Sequence, residues 1–154
     1  MTKTHPDLSS GAYWISDDAA HLDLTVIHQF LSQSYWAKNI PRELVVKSLE
    51  HSMCFGVYHQ QQQVGFARVI TDYATFGYLG DVFILEEHQG KGLGKQLMEF
   101  ILNHAQLVGF RRWLLVTADA HGLYQQYGFE PLSDPSRYLE INHTNPYPPQ
   151  PPTN

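Results

Sequence analysis

Three glycines and two lysines fall within one short stretch, Glu86 to Leu97, which reads EEHQGKGLGKQL. It follows the apolar run YLGDVFIL and leads into an amphipathic segment. A strand, a glycine-rich turn and a helix in that order point backbone N–H groups and a helix N-terminus at an anion. Successive amides of Gly90, Lys91, Gly92, Leu93 and Gly94 can form a nest around an anion, with Lys91 and Lys95 adding charge beside it. The spacing excludes two common phosphate binders. A P-loop needs a hydroxyl after Gly-Lys and a glycine five residues before it, whereas Gln96 and Gln89 stand at those positions. The dinucleotide fingerprint is G-x-G-x-x-G, and this turn is G-x-G-x-G.

Other residues could do chemistry. Asp81 is a lone carboxylate in an apolar run, costly there unless paired or used; a bulge or Arg68 is the structural alternative. Tyr124 and Tyr127 each offer a phenol hydroxyl that can act as a proton donor. The single cysteine, Cys54, lies in a strand-like segment without a positioned base and reads as a small core residue. The nine histidines show no zinc-binding spacing, so no metal is expected.

Stepping from Tyr13 onward, AYWISDD reads as a strand whose Ser16, Asp17 or Asp18 caps a helix carrying Leu22, Val26, Ile27, Phe30 and Leu31. A second helix opens near Pro41. MCFGVY and QVGFARVITDY are strands joined by a polar glutamine turn, and FGYLGDVFIL is a longer strand buried on both faces. The helix after the glycine turn carries Leu93, Leu97, Met98, Ile101, Leu102 and Ala105, with Gly109 terminating it. RRWLLVT is a further strand, Asp119 caps a short helix stopped by Gly128, and RYLEI is a last strand. This order predicts a mixed α/β (α+β) single domain, with a twisted central sheet of about six to seven strands flanked by about four helices. Residues 1–11 are expected to be a flexible N-terminus, 12–142 the domain, and 143–154 a tail with five prolines.

At 154 residues, 43% hydrophobic and 16% charged, the chain suits one soluble domain with a substantial core. A net charge of −5 argues against general attraction to nucleic acid or anionic membrane. One cysteine, no secretory leader pattern and no membrane-length apolar run make the cytoplasm the expected compartment.

The turn Gln89-Gly90-Lys91-Gly92-Leu93-Gly94 resembles the Q/R-x-x-G-x-G/A signature of the GNAT superfamily of acetyl-coenzyme A-dependent N-acetyltransferases. DVFILEEHQ is similar to the family's preceding strand, and Ala120, Tyr124, Gly128 and Phe129 fall in the register of its A-x-x-x-Y-x-x-x-GF helix. The likeness runs from about Trp14 to Ile141. It implies a GNAT-like domain, with acetyl-coenzyme A as co-substrate and direct attack by a primary amine of a small molecule or peptide in a ternary complex. It also implies that Val82, Phe83 and Ile84 pair with the pantetheine arm, with an amide near Ile84 polarising the thioester. Gln89 through Lys95 would hold the diphosphate. By the same resemblance Tyr124 is the acid that protonates the leaving sulfur, with Tyr127 as competitor, and Asp81 is the base, with Asp72 a second candidate. The acceptor would enter beside the first two helices, where Tyr35 and Trp36 supply aromatic walls and Asp72 is a further carboxylate. Homodimers are common in the resembling family. A non-catalytic sensor of acyl-coenzyme A is the alternative function.

Overall fold

The computed structural model describes residues 4–6 and 12–149. Strands β1 (Thr4–Pro6), β2 (Tyr13–Ser16), β3 (Met53–His59), β4 (Gln62–Thr71), β5 (Phe76–Ile84) and β6 (Arg112–Leu115) form one sheet in chain order. Neighbours are antiparallel except β5 and β6, which are parallel. Helices α1 (Leu24–Gln33) and α2 (Arg42–Glu50) precede β3, α3 (Leu93–Leu102) joins β5 to β6, and α4 (His121–Gln125) follows β6. The α/β single-domain expectation holds, with the strand count slightly lower than expected: five strands of four or more residues and one three-residue edge strand.

Alternating side chains explain the layering. Phe55, Val57, Val69 and Leu79 face α3, where Leu97, Met98 and Ile101 are buried. Phe66, Phe83 and Cys54 point the other way, onto Ile27, Leu31 and Val45 of α1 and α2. Cys54 is therefore core, and burial pushes its thiol up to about 12, so the reactive thiolate is scarce at neutral pH.

Several boundaries moved for local reasons. Asp23, rather than Ser16, Asp17 or Asp18, caps α1 by accepting from the Thr25 and Val26 amides; Asp18 caps a short turn before it. Helix α3 stops at Leu102, short of Ala105, and the buried His104 ring that follows lies 2.7 Å from Asp17. Asp119 does not cap α4; the Thr117 hydroxyl accepts from the Ala120 amide instead. The expected strand at 137–141 does not form. Pro135–Arg137 is a single turn, and Leu139 is 98% exposed, so the alternation there has no face to bury. Thr4–Pro6 pair with β2, while 1–3 and 7–11 of the expected flexible N-terminus, and 150–154 of the tail, lie outside the described residues. Among the described residues, no helix is long and apolar enough to cross a membrane.

Candidate active site

Parallel pairing of β5 with β6 ends at Leu79 and Leu115, but β5 continues to Ile84. The strands part there, and a cavity of about 1040 Å³ opens between them. Residues 80–84 of β5 form one wall and Leu115, Val116 and Thr117 the other. At the inner end of β5 the Leu85 amide donates to Val64 O at 2.8 Å. Amides alternate sides along a strand, so the Ile84 N–H faces away from β4, toward the gap. Gln89 Nε2 donates to Ile84 O from that side at 2.9 Å, bracing the turn against the strand.

Beyond Ile84 the glycine turn faces the same cavity through Gln89, Gly90, Gly92, Leu93 and Gly94. Gly90 and Gly92 both adopt φ of 78°, a left-handed conformation that only glycine takes freely. A Cβ built at either would meet no protein atom within 4 Å, so the backbone there fronts open space. The first backbone bond of α3 runs from the Gln96 amide to Gly92 O at 3.1 Å, leaving the amides of Leu93, Gly94 and Lys95 as donors at the helix start. These features fit a diphosphate held by main-chain N–H groups. Lys91 and Lys95 are exposed and lie outside the cavity lining, so any charge they contribute comes from its rim.

Tyr124 is 8% exposed and lines the cavity, and its hydroxyl has no hydrogen-bond partner among the described residues. Burial, with smaller contributions from Asp119 and Tyr35, raises its pKa above the usual tyrosine value. Tyr127 is different. Its hydroxyl donates to Lys95 O at 3.1 Å and to Glu99 at 3.3 Å, against α3 and away from the cavity.

Asp81 sits at a bulge, where Phe66 pairs with Phe83 but Arg68 pairs with Gly80. Its φ of 55° is the left-handed conformation that aspartate tolerates better than most residues. Both carboxylate oxygens are engaged. Arg68 Nε donates to Oδ2 and Trp36 Nε1 to Oδ1, each at 2.8 Å, while Arg68 also donates to the Ser52 hydroxyl at 3.0 Å. Trp36 and Tyr35 line the cavity from the α1–α2 connection, with ring centroids 5.0 Å apart. Asp72 is elsewhere. It closes the β4–β5 turn by accepting from the Ala74, Thr75 and Phe76 amides and the Thr75 hydroxyl, outside the cavity lining. Those bonds, Thr75's amide first, hold its carboxyl well below the usual carboxylate range.

The structure therefore brings Tyr35, Trp36, Asp81, Val82, Phe83, Ile84, Tyr124 and the glycine turn together, and leaves Asp72, Lys91 and Lys95 aside. It adds Phe30, Asp119, Glu140 and Asn142 to the lining. Glu140 and Asn142 had no signal in the sequence, because their segment reads as a strand. No group of three His, Cys, Asp or Glu side chains among the described residues could hold a metal ion.

The family model described as the acetyltransferase (GNAT) family matches residues 19–129. The chain belongs to the GNAT family of acetyltransferases, which use acetyl-coenzyme A. A protein assigned to that family from Xanthomonas campestris pv. campestris superposes with a TM-score of 0.86 at 49% identity, covering 88% of this chain and 96% of the other. A Gibberella zeae protein named as an acetyltransferase is 38% identical over 137 residues, 74% of this chain and 76% of its own. The spermine/spermidine N(1)-acetyltransferase of Bacillus subtilis is 32% identical over 130 residues, 75% of this chain and 84% of its own.

Proposed function

We propose that this chain transfers an acetyl group from acetyl-coenzyme A to a primary amine of a small molecule or peptide, by direct attack in a ternary complex. One observation carries the reading. Tyr124, a buried residue whose hydroxyl has no hydrogen-bond partner among the described residues, lines the same cavity as Ile84 and the open glycine turn. Bound acetyl-coenzyme A supplies an activated acyl thioester. The turn amides hold its diphosphate, and the free edge of β5 at Val82, Phe83 and Ile84 aligns its arm.

The chain's own groups then have separate tasks. The Ile84 N–H is fixed in the strand and can donate where negative charge develops on the carbonyl oxygen, at no reorganisation cost; such a donor is typically worth about 3 kcal/mol. The Tyr124 hydroxyl delivers a proton to the departing sulfur, and its raised pKa keeps that proton in place through the working range. Asp81, with both oxygens occupied, serves as a clamp on Trp36 and Arg68 rather than as the base. The amine reaches its neutral form through solvent at the open mouth.

An acetyl-coenzyme A-dependent thiol-release assay over polyamines, arylalkylamines, aminoglycosides, amino acids and peptides tests the reading. Release with at least one class is expected. Tight coenzyme A binding with release on none would instead indicate a sensor, which has no need of an acid beside the sulfur.

A further inference from the structure

We infer that the Tyr13–His88 pair is a positioning device for the cofactor turn, setting the glycine backbone before coenzyme A arrives. This rests on the acyl-transfer reading above, which puts the diphosphate on that turn.

The turn has little of its own to hold it. Gly90 and Gly92 both stand at positive φ, and glycine has more backbone freedom to lose than any other residue. The bonds bracing its entry are short-range. The His88 amide donates to Leu85 O at 2.9 Å, the Gln89 amide to Glu86 O at 3.2 Å, and Gln89 Nε2 to Ile84 O at 2.9 Å. All three close within residues 84–89, so they fix the turn to no strand except the one it leaves. Among the described residues, the one hydrogen bond from residues 86–92 to a distant segment joins His88 Nδ1 to the Tyr13 hydroxyl. The two atoms lie 2.7 Å apart across 75 residues of sequence.

The Tyr13 end of that bond is firmly set. Tyr13 is buried, pairs with His59 across β2 and β3, and shares a core cluster with Leu93, the first residue of α3. Its ring centroid lies 4.5 Å from that of His59. The His88 ring meets both, at 5.6 Å from Tyr13 and 5.3 Å from His59. His88 therefore sits on two rings supplied by the sheet, with a hydrogen bond fixing its orientation. His88 also lines the cavity, beside Gln89, Gly90 and Gly92. Sheet and cofactor turn are joined at the point where the turn begins.

Preorganisation gives this anchor its consequence. A turn already held in its bound shape loses less conformational freedom when the ligand arrives, and so binds more tightly. Among the described residues no hydrogen bond links the pair to Tyr124, Trp36 or Asp81. The effect therefore falls on cofactor affinity and leaves the acid and the acceptor wall as they are.

The experiment measures coenzyme A affinity by calorimetry and steady-state rates by thiol release, both on the full chain. Tyr13→Phe removes the hydroxyl and keeps the ring. Coenzyme A affinity is expected to fall about fivefold, with KM for acetyl-coenzyme A rising in step while kcat and the amine KM hold. In a His88→Leu background the same Tyr13→Phe change should have no further effect, because the two residues act through one bond. His88→Asn, whose amide can both donate and accept, should recover most of the affinity that His88→Leu loses. Wild-type affinity in Tyr13→Phe, additive losses in the double variant, or an equal fall in kcat would overturn the positioning inference and leave acyl transfer standing. A wild-type chain that binds no coenzyme A would overturn both.

Discussion

Trp36 donates its indole N–H to Asp81 at 2.8 Å across 45 residues of sequence, fastening the α1–α2 connection to the bulge of β5. The same carboxylate takes a second bond from Arg68 of β4. One aspartate therefore holds the aromatic wall of the cavity against the sheet. Removing the indole donor in Trp36→Phe forfeits one hydrogen bond of about 1 kcal/mol, so KM for the amine should rise about fivefold with kcat little changed. Asp81→Asn keeps an acceptor for Trp36 but loses the charge opposite Arg68. If Asp81 is a clamp, its pH–rate profile keeps the wild-type shape; loss of one limb would make Asp81 the base after all.

Tyr124→Phe removes the proton donor while keeping the ring. Turnover should fall about a hundredfold, with acetyl-coenzyme A affinity by calorimetry nearly unchanged. The sign of the pKa shift adds a second expectation. Tyrosine donates only when protonated, and its pKa is raised, so the donor form persists above the ordinary value near 10. The wild-type kcat profile should show no falling limb below that pH, and such a limb would remove Tyr124 from the role.

Gly92→Val tests the cradle, and Gly109→Val controls for strain. Both glycines have positive φ, 78° and 84°, and neither has a protein atom near its missing Cβ, so each substitution costs about 1–2 kcal/mol of backbone strain. Only Gly92 lines the cavity. Coenzyme A binding should weaken by at least about tenfold, or 1.4 kcal/mol, in Gly92→Val and stay normal in Gly109→Val. Equal affinities in the two variants would move the diphosphate elsewhere.

Asp72 should matter for the hairpin and not for the reaction. Asp72→Ala is expected to lower the melting temperature while KM and kcat hold. Because the folded-state pKa is depressed, the stability Asp72 contributes is present above the unfolded aspartate value and is lost as pH falls through the lower folded one. Asp72→Asn should therefore flatten the acid side of the stability profile; an unchanged profile would mean those turn bonds carry no weight. A change in amine KM would return Asp72 to the acceptor site.

The parts of this protein legible in its sequence are those whose partners lie close along the chain. A strand, a glycine turn and a helix are contiguous, so the periodicity of Leu93, Leu97 and Ile101 and the spacing of Gly90, Gly92 and Gly94 located the turn and the helix after it without a fold. Tyr124 was found by its register with Ala120 and Gly128. The structure separates it from its competitor: Tyr124 lines the cavity, whereas the Tyr127 hydroxyl, three residues on, is bonded to the Lys95 carbonyl and Glu99 of α3.

What tertiary structure alone decided is pairing over distance. Which partner answers Asp81, whether Asp119 caps a helix or stands free, and whether residues 137–141 join the sheet depend on contacts between segments far apart in sequence. Local propensity is worth only tenths of a kcal/mol per residue, whereas burial and charge pairing are worth several times that. Packing therefore overrules the local pattern wherever the two disagree. Here that disagreement placed Glu140 in the cavity and tied Asp81 to Trp36 and Arg68.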